Sequence, residues 1–321
     1  KMELRKDYIL DRWIIIATGR GKRPEQFKSD EDIYANDPGP KKCFFCPGNE
    51  NMTPSEIGRL EDGKGRWKLR WFPNKFAAVD MKGDPAIKTD NTFYTYSAAY
   101  GDHEILVETN DHKKQLRDLS EEDITEILKV MRDRIEALIK KPGIKYVDIF
   151  KNEGLKAGTS IIHSHSQIIS LNIIPTEVTA KIKAAKNFGS CPYCKIIESE
   201  RNSERQVHED DFTFTFTPYA SRFNFEAWIF PKKHYGRLTD FSDEEISGLA
   251  AAMKRILVKL KELNVSFNIA YFYAPDGEDL HFHIAFLPRI ATWAGFELES
   301  GVTINVVSPE DAAKFYRGEH K

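Results

Sequence analysis

DHKKQLRDLSEEDI, residues 111–124, recurs in outline as KHYGRLTDFSDEEI at residues 233–246. Counting from the histidine of each stretch, a leucine follows at the fourth position, an aspartate at the sixth, a serine at the eighth and an isoleucine at the twelfth. Self-similarity of this kind is typical of a duplicated structural unit. The repeat therefore predicts two copies of one fold within the chain.

The serine of each copy has the signature of a helix start. Ser120 opens SEEDITEILKVMRDRIEALIKK and Ser242 opens SDEEISGLAAAMKRILVKLKEL. Serine is a favoured N-cap, and the acidic residues that follow it suit the positive end of a helix. Apolar residues then recur at steps of three and four, the period of a helix with one buried face. We predict a long amphipathic helix after each serine.

The same further motifs surround both helices. A C-x-x-C pair precedes each helix (CFFC, 43–46; CPYC, 191–194), and an H-x-H follows it (HSH, 163–165; HFH, 281–283). Short apolar and aromatic runs such as EAWIFP and FNIAYFY are typical of β-strands. Each copy is therefore predicted to be an α+β unit, in which a mainly antiparallel sheet carries one packed long helix.

The size of the chain agrees with two such units. It has 321 residues, of which 41% are hydrophobic, and this is enough for a substantial core. The segment TAKIKAAKNFGS, a helix or linker that ends at a Gly-Ser turn, separates the two copies. We place the boundary near residues 178–190 and predict an N-terminal unit of residues 1–180 and a C-terminal unit of residues 181–321.

Charge and hydropathy exclude several classes of protein. Lysine and arginine number 47 against 49 acidic residues, for a net charge of −2, whereas nucleic-acid and membrane-surface proteins carry a basic excess. No apolar run approaches the roughly 18 residues that a bilayer span requires. The N-terminal stretch KMELRKDYILDRW has no apolar signal core. We expect a soluble, cytoplasmic protein that binds neither nucleic acid nor membrane.

The cysteines and histidines form two matched sets with the ligand types that zinc prefers. The first set is Cys43, Cys46, His112 and either His163 or His165, and the second set is Cys191, Cys194, His234 and His281. Each C-x-x-C pair could instead be a redox dithiol. Each histidine could instead be an ordinary surface or core residue. Four protein ligands leave no open position, so two structural zinc sites are predicted rather than catalytic ones.

IIHSHSQII, residues 161–169, predicts the chemistry. Alternate side chains of a strand share a face, so His163, His165 and Gln167 point the same way. A neutral imidazole can attack phosphorus and form a covalent phosphoramidate, and a neutral amide donor can receive the charge that builds on the phosphoryl oxygens. We predict His165 as the nucleophile and Gln167 as the donor. A buried polar network without chemistry is the alternative.

The two halves differ in the loop before the H-x-H and in the residues after it. The loop KNEGLKAGTS offers amides and hydroxyls that can cradle phosphates. The second H-x-H is followed by IAFLP, with no glutamine two residues on and no glycine-serine loop before it. The second copy keeps the metal pattern without the nucleophile pattern, which predicts one active site per chain, in the first half.

GTSIIHSHSQ, residues 158–167, resembles the histidine-triad superfamily and, within it, the galactose-1-phosphate uridylyltransferase family. The resemblance runs over almost the whole chain. It implies two fused histidine-triad folds, a homodimer, and a ping-pong reaction of galactose metabolism in which UDP-glucose uridylylates His165 and releases glucose 1-phosphate. Galactose 1-phosphate would then accept the uridylyl group, and Gln167 would stabilise the phosphoryl oxygens.

The resemblance also implies contacts for nucleotide, phosphate and sugar. GRGKRP, CFFC, WFPNKFAAV and the loop before the H-x-H supply the expected nucleotide and phosphate contacts, which are Arg20, Arg23, Phe44, Asn74, Asn152, Gly158 and Ser160. AGFELESGVTIN resembles the hexose-binding segment and supplies Phe296, Glu297 and Asn305. Some members build a second metal site from a glutamate and histidines, which Glu177, His281 and His283 would represent here.

Three alternatives to the uridylyltransferase stay open. Related members of the family are phosphorylases of ADP-glucose, which use the same nucleophile with phosphate as the acceptor. A hydrolase is possible because water can attack a phosphohistidine. A zinc-stabilised binding module without catalysis is the alternative from a different class, and the near-neutral charge counts against it.

Overall fold

A computed structural model describes residues 2–18, 27–32 and 34–319 of the chain. Its helices are α1 (Glu121–Ile139), α2 (Thr176–Lys186), α3 (Pro192–Glu200), α4 (Asp243–Leu263), α5 (Gly295–Ser300) and α6 (Pro309–Tyr316). Its strands are β1 (Met2–Lys6), β2 (Trp13–Ala17), β3 (Gly58–Glu61), β4 (Trp67–Pro73), β5 (Lys88–Thr89), β6 (Thr95–Tyr96), β7 (His103–Val107), β8 (Tyr146–Glu153), β9 (His165–Leu171), β10 (Gln206–Glu209), β11 (Thr213–Phe216), β12 (Ala227–Pro231), β13 (Phe267–Phe272), β14 (His283–Pro288) and β15 (Thr303–Asn305).

One ten-stranded sheet forms the centre of the molecule. Its strand order is β10-β11-β12-β14-β13-β8-β9-β7-β4-β3, so each half of the chain contributes five neighbouring strands. All pairings in this sheet are antiparallel. The two halves meet where β13 pairs with β8, from Phe267 opposite Glu153 to Ala270 opposite Phe150. The α+β class predicted from the repeat is confirmed.

The two long helices begin where the repeated serines predict. Ser120 accepts a hydrogen bond from the backbone N–H of Asp123, and Ser242 accepts one from Glu245, each at 3.1 Å. Reciprocal bonds from the acidic side chains complete a capping box at both helices. The apolar faces of α1 and α4 are buried against each other and against the sheet. The repeat therefore places two equivalent helices side by side on one face.

A second, smaller sheet joins the first two strands of the chain to β15. Strand β2 pairs with β1 and, in parallel, with β15. Arg5 of β1 is hydrogen-bonded to Glu310 of α6 at 3.0 Å. A division of the chain at 180/181 therefore cuts across this sheet, because its first two strands pack on the second half. The first eight residues of TAKIKAAKNFGS lie in helix α2, and its last four form the turn that follows the helix.

No helix in the described parts of the chain is both long enough and apolar enough to cross a membrane.

Candidate active site and metal centres

Two cysteines and two histidines from distant parts of the first half converge on one point. Cys43 and Cys46 lie in the loop before β3, His112 lies after β7, and His163 lies before β9. Cys46 Sγ is 3.1 Å from His112 Nδ1 and 3.5 Å from His163 Nδ1, and Cys43 Sγ is 3.6 Å from the same His163 atom. All four residues are buried. The structure thus selects His163, not His165, as the fourth member of this set.

The outer nitrogens of both histidines are held so that their inner nitrogens face the thiols. His112 Nε2 lies 2.7 Å from Asp37 Oδ1, and His163 Nε2 lies 2.7 Å from the carbonyl oxygen of Thr109. A hydrogen on each Nε2 satisfies these acceptors and leaves each Nδ1 with a free lone pair. Such outer partners orient metal-ligating histidines and fix their tautomer. The first set is therefore pre-oriented as an Nδ1-ligating site.

The second half repeats this arrangement with a more open surrounding. Cys194 Sγ is 3.4 Å from His234 Nδ1 and 3.5 Å from His281 Nδ1. His234 Nε2 lies 2.7 Å from Asp279 Oδ1, and His281 Nε2 lies 2.9 Å from the carbonyl oxygen of Pro231. The two cysteines are only partly buried and His234 is exposed. Both sets thus arrange their ligand atoms in the same way, and the second set is more accessible to solvent.

Both sets fit a tetrahedral metal ion. The ligand atoms within each set all lie within 4.8 Å of one another. Metal–sulfur bonds of about 2.3 Å and metal–nitrogen bonds of about 2.0 Å, at tetrahedral angles, place such atoms roughly 3.5 Å apart. The sulfur–nitrogen contacts of 3.1–3.6 Å in the first set and 3.4–3.9 Å in the second agree with this spacing. The chain therefore has two Cys2His2 clusters that can each hold a metal ion.

Glu177 does not take part in the second cluster. Its carboxylate accepts two hydrogen bonds from the Arg12 guanidinium, at 3.2 and 3.0 Å. The Nδ1 atom of His281 faces the thiols instead. The structure therefore brings His281 together with the two thiols and Glu177 together with Arg12, which favours the Cys2His2 set over the alternative of Glu177, His281 and His283.

His165 is the first residue of β9 and is held in one tautomer by its own strand. Its Nδ1 lies 2.9 Å from the carbonyl oxygen of His163, so Nδ1 carries the hydrogen and donates it. The Nε2 atom then keeps its lone pair. Phe45, from the cysteine loop, packs edge-on against the ring at a centroid distance of 5.2 Å. Burial lowers the pKa of His165 to about 4, with the nearby Lys151 ammonium acting in the same direction. The ring is therefore a neutral base, and no described residue hydrogen-bonds to its Nε2.

Gln167 lies two residues along the same face of β9. Its Oε1 is 2.8 Å from His103 Nε2, on the neighbouring strand β7. Asn74, which follows β4, places its Nδ2 at 3.2 Å from the same imidazole nitrogen. The backbone N–H of Ala78 donates to His103 Nδ1 at 3.1 Å. The predicted donor and one predicted nucleotide contact thus meet at a histidine that the sequence motifs do not single out.

A buried ion pair supports the opposite face of β9, the strand that begins at His165. Lys151 Nζ donates to Glu108 Oε2 at 2.7 Å and to the carbonyl oxygen of His165 at 3.1 Å. Ser164 and Ser166 each donate to the Glu108 carboxylate at 2.6 Å. The two serines of HSHSQ therefore anchor the strand through charge-assisted hydrogen bonds, while the alternate residues face the site.

The loop that joins β8 to β9 lies next to this strand. Gly158 has φ of +89°, in the left-handed region that glycine adopts without strain. The Thr159 hydroxyl donates to the Asn152 carbonyl oxygen, and Asn152 Oδ1 accepts from Asn268 at 2.8 Å. Ser160 is exposed. The predicted phosphate loop thus has a fixed turn, with the exposed hydroxyl of Ser160 beside the strand.

The counterpart of His165 in the second half is closed off. His283 Nδ1 lies 2.9 Å from the His281 carbonyl oxygen, as in the first half, but His283 Nε2 is 2.8 Å from Lys181 Nζ. The His283 ring is stacked between Phe230 and Phe272, at centroid distances of 4.7 and 4.9 Å. Burial lowers the pKa of Lys181 to about 8. The second H-x-H thus keeps the backbone geometry of a nucleophile without an accessible nitrogen.

The remaining predicted contacts lie in different places. Phe44 is 44% exposed beside the first metal set. Phe296 and Glu297 are on α5, next to the small sheet. Arg20 and Arg23 lie outside the described residues.

The sugar contact expected of Asn305 needs correction. Asn305 is 0% exposed, and its amide donates to the carbonyl oxygens of Ser221 and Phe223 at 2.9 and 3.2 Å. Its Oδ1 accepts from the backbone N–H of Val307 at 2.9 Å. With every polar group engaged and no exposed surface, Asn305 fixes neighbouring backbone and has nothing left to offer a sugar.

The sequence motifs missed the residues that support the site from other strands. His103 and Lys181 act from β7 and α2, and neither belongs to a spacing pattern that repeats between the halves. Asp37 precedes the first metal set, whereas Asp279 lies between His234 and His281 of the second. A carboxylate near a metal-ligating histidine is a common outer partner. Asp279 nevertheless holds His234 and not the adjacent His281, so its place two residues before HFH would have indicated the wrong histidine.

Comparison with known proteins agrees with this geometry. The family model for the N-terminal domain of galactose-1-phosphate uridyl transferase matches residues 1–175. An ADP-glucose phosphorylase of Arabidopsis thaliana is 31% identical over 98% of this chain and 92% of its own length. A galactose-1-phosphate uridylyltransferase of Thermotoga maritima is 28% identical over 98% of both chains.

Solved structures give the same result. The crystal structure of an ADP-glucose phosphorylase from Arabidopsis thaliana with bound ADP-glucose matches with a TM-score of 0.83, at 29% identity over 99% of this chain and 98% of that one. A uridylyltransferase structure matches with a TM-score of 0.75, at 26% identity over 99% and 98% of the two chains. With more than half of its length matched by the family model, this chain belongs to the galactose-1-phosphate uridylyltransferase family.

Proposed function

We propose that the protein is a nucleotidyltransferase that moves a uridylyl group from UDP-glucose to galactose 1-phosphate through His165. The observation that carries this proposal is the hydrogen bond from His165 Nδ1 to the His163 carbonyl oxygen, 2.9 Å long. It leaves Nε2 as an unprotonated nucleophile on the same strand face as Gln167. An imidazole held in this way is suited to attack on phosphorus.

The reaction balances as two displacements at the α-phosphorus. His165 Nε2 forms a bond to the α-phosphorus of UDP-glucose, and the bond from that phosphorus to the bridging oxygen breaks, so that glucose 1-phosphate leaves. A phosphate oxygen of galactose 1-phosphate then attacks the same phosphorus, the bond to Nε2 breaks, and UDP-galactose leaves. The Gln167 amide would donate to a non-bridging oxygen as charge builds there.

An ADP-glucose phosphorylase is the second candidate. It is favoured by the similarity to the Arabidopsis phosphorylase, which is higher in identity and in TM-score than that to the Thermotoga enzyme or to the uridylyltransferase structure. The first displacement is the same with ADP-glucose as the donor. In the second, inorganic phosphate takes the place of the sugar phosphate, and the product is ADP.

We propose that each Cys2His2 cluster holds a structural zinc ion, with four protein ligands and no open position. Thiolate ligands must stay reduced, which favours a cytoplasmic location. We also propose that residues 1–180 form the catalytic unit, because His283 in the second half is capped by Lys181. Phe44, Asn74, Asn152, Gly158 and Ser160 would contact the nucleotide and its phosphates, together with Arg20 and Arg23, while Phe296 and Glu297 would contact the sugar.

A homodimer is proposed from the exposed aromatic surface around the β5–β6 hairpin. Phe93 and Tyr94 at its turn are 86% and 67% exposed, and nearby Ile87 is 55% exposed. Apolar patches of this kind mark interaction sites on soluble proteins. The mass in solution is therefore expected near twice the chain mass of 36.9 kDa, by light scattering. A Phe93→Ser, Tyr94→Ser variant should shift the protein towards monomer, and an unchanged dimer would place the interface elsewhere.

The test of function uses two mixtures of purified protein, UDP-glucose with galactose 1-phosphate and ADP-glucose with phosphate. His165→Ala is run beside the native protein, and His208→Ala, a change on the distant strand β10, is the matched control. UDP-galactose made by the native and control proteins but not by His165→Ala is the expected result. ADP from the second mixture alone would assign the phosphorylase. No product in either mixture, with metal bound and the fold intact, would contradict both and favour a binding module.

A further inference from the structure

We propose that His103 is a positioning residue that fixes which end of the Gln167 amide faces the transferring phosphoryl group. The inference rests on the proposed function and deepens it. Gln167 can help a phosphoryl oxygen only with its NH2 group, because its carbonyl oxygen would repel the developing negative charge. A glutamine amide is nearly symmetric in shape, so something must choose between its two orientations.

The choice begins at the backbone of Ala78. Its N–H lies 3.1 Å from His103 Nδ1 and can only donate, so that nitrogen must be the acceptor. Burial lowers the pKa of His103, which keeps the ring neutral. A neutral imidazole with an accepting Nδ1 carries its hydrogen on Nε2. The tautomer of His103 is therefore set by a fixed backbone group.

The hydrogen on His103 Nε2 then sets Gln167. Gln167 Oε1 lies 2.8 Å from this nitrogen and accepts from it. The NH2 end of the amide is turned the other way, and no hydrogen-bond partner for it occurs among the described residues. Gln167 is itself only partly buried. A donor is thus held free, in one orientation, two residues from His165 on the nucleophile face.

Asn74 lies beside the imidazole without a hydrogen bond to it. Its Oδ1 accepts from the backbone N–H of Phe76 at 2.9 Å, and this fixes the direction of its own amide. Its Nδ2 is a donor and lies 3.2 Å from His103 Nε2, which carries a hydrogen in this tautomer and cannot accept from it. The imidazole is therefore fixed through Nδ1 by the backbone N–H of Ala78 alone, and this bond sets the orientation of the Gln167 amide.

The second half supplies an internal comparison. Ile105 lies opposite Gln167 between β7 and β9, and Trp228 lies opposite Ala285 between β12 and β14. Counting two residues back along β7 and β12 makes Glu226 the counterpart of His103. In the second half, Ala285 therefore stands at the position of the glutamine, and Glu226 stands at the position of the histidine. The imidazole–amide pair occurs only beside the open nucleophile nitrogen in the part of the chain that the structure describes.

The kinetic test is a double-mutant cycle on the first displacement, with release of glucose 1-phosphate as the readout. His103→Leu should lower kcat by about 10- to 100-fold and change KM by less than about 3-fold, because the oriented donor acts mainly in the transition state. The same change in a Gln167→Ala background should cost less than about 3-fold more. His103→Gln, whose amide can donate to Gln167, should recover part of the loss. His208→Leu is the control.

Fully multiplicative losses in the cycle, or a rise in KM with kcat unchanged, would overturn the inference. A second measurement stands without activity: long-range ¹H–¹⁵N NMR of the imidazoles should show His103 with its hydrogen on Nε2 in the native protein, and a hydrogen on Nδ1 would refute the inference. Failure of the proposed function is distinguishable, because the native protein would then form no product in either mixture while the tautomer could still be observed.

Discussion

At the scale of single residues, His165 and His283 share one backbone geometry and differ in the access to Nε2. Both donate from Nδ1 to the carbonyl oxygen two residues earlier, at 2.9 Å. Within the residues that the structure describes, the two differ at Nε2: Lys181 Nζ lies 2.8 Å from that of His283, and that of His165 has no such partner. The H-x-H spacing predicts the shared geometry because it depends on one strand. It cannot predict Lys181, which arrives from helix α2.

Asp148 on β8 offers a residue-scale prediction about pH. Burial raises the pKa of its carboxyl from 3.8 to about 6. Because the folded pKa lies above the unfolded one, the favourable contribution is complete below pH 3.8 and is lost as the pH rises through 6. Asp148→Asn should therefore stabilise the fold at pH 8, by at most about 3 kcal/mol, and by roughly 1.4 kcal/mol less at pH 5.

The measurement is urea unfolding of both proteins at the two pH values, with the free energies compared. Asp133→Asn on the exposed face of α1 is the control and should show no such pH-dependent gain. A stabilisation by Asp148→Asn that is equal at both pH values would mean that the carboxyl titrates normally.

At the scale of elements, the two copies of the repeat differ in their loops more than in their helices. The capping boxes of α1 and α4 have the same pattern: each serine hydroxyl accepts at 3.1 Å, and the acidic side chain three residues on accepts from the serine N–H at 3.2 Å in α1 and 2.8 Å in α4. The C-x-x-C of the first half sits in an irregular loop, whereas that of the second half leads into helix α3. Local signals such as an N-cap serine predict the helices well, because a cap bonds within its own turn. The burial of each cysteine pair depends on what packs over it.

The caps give an element-scale prediction. Ser120→Ala and Ser242→Ala should each lower the free energy of unfolding by about 1 kcal/mol, because each leaves a backbone N–H of the first turn without its acceptor. Ser247→Ala is a matched control, since that hydroxyl donates to the Asp243 carbonyl oxygen on an exposed helix face. Chemical denaturation measures all three. A loss at the control equal to that at the caps would show that the caps are not responsible.

The two metal clusters should differ in how fast they lose metal. The four residues of the first cluster are buried, whereas His234 of the second is exposed and its two cysteines are only partly buried. A chelator should therefore remove one metal ion per chain quickly and the other slowly, as followed by a colorimetric zinc indicator. Cys194→Ala should abolish the fast phase and Cys46→Ala the slow one. Release in a single phase would contradict the difference in access.

At the scale of the whole molecule, the repeat predicts two similar halves. It does not predict which strands join them. The β8–β13 pairing and the parallel pairing of β2 with β15 join strands that are far apart in the chain. No local pattern encodes such partners, because an alternating strand can pair at either edge. The same holds for Asn305, whose side chain looked available for a ligand until β15 was placed against the backbone of residues 221–223.

The asymmetry of the halves predicts one covalent nucleotide per chain. After incubation with a nucleotide sugar alone, intact mass spectrometry should show a single uridylyl or adenylyl adduct on the native protein and none on His165→Ala. Lys181→Met should still show one, because Ala285 and Phe272 leave His283 without an amide donor or open space. A second adduct on the Lys181 variant would mean that the lysine alone silences the second half.

The seam between β8 and β13 has a consequence for anyone who would cut this protein in two. Each half contributes a long strand there, and each strand would show a row of unpaired backbone donors and acceptors once its neighbour was gone. Fragments cut at the midpoint would therefore associate through these exposed strand edges. Mixed together, they should recombine into the native ten-stranded array. Kept apart, each fragment would pair its exposed strand with that of another copy, so the half that carries His165 is a poor candidate for a minimal enzyme.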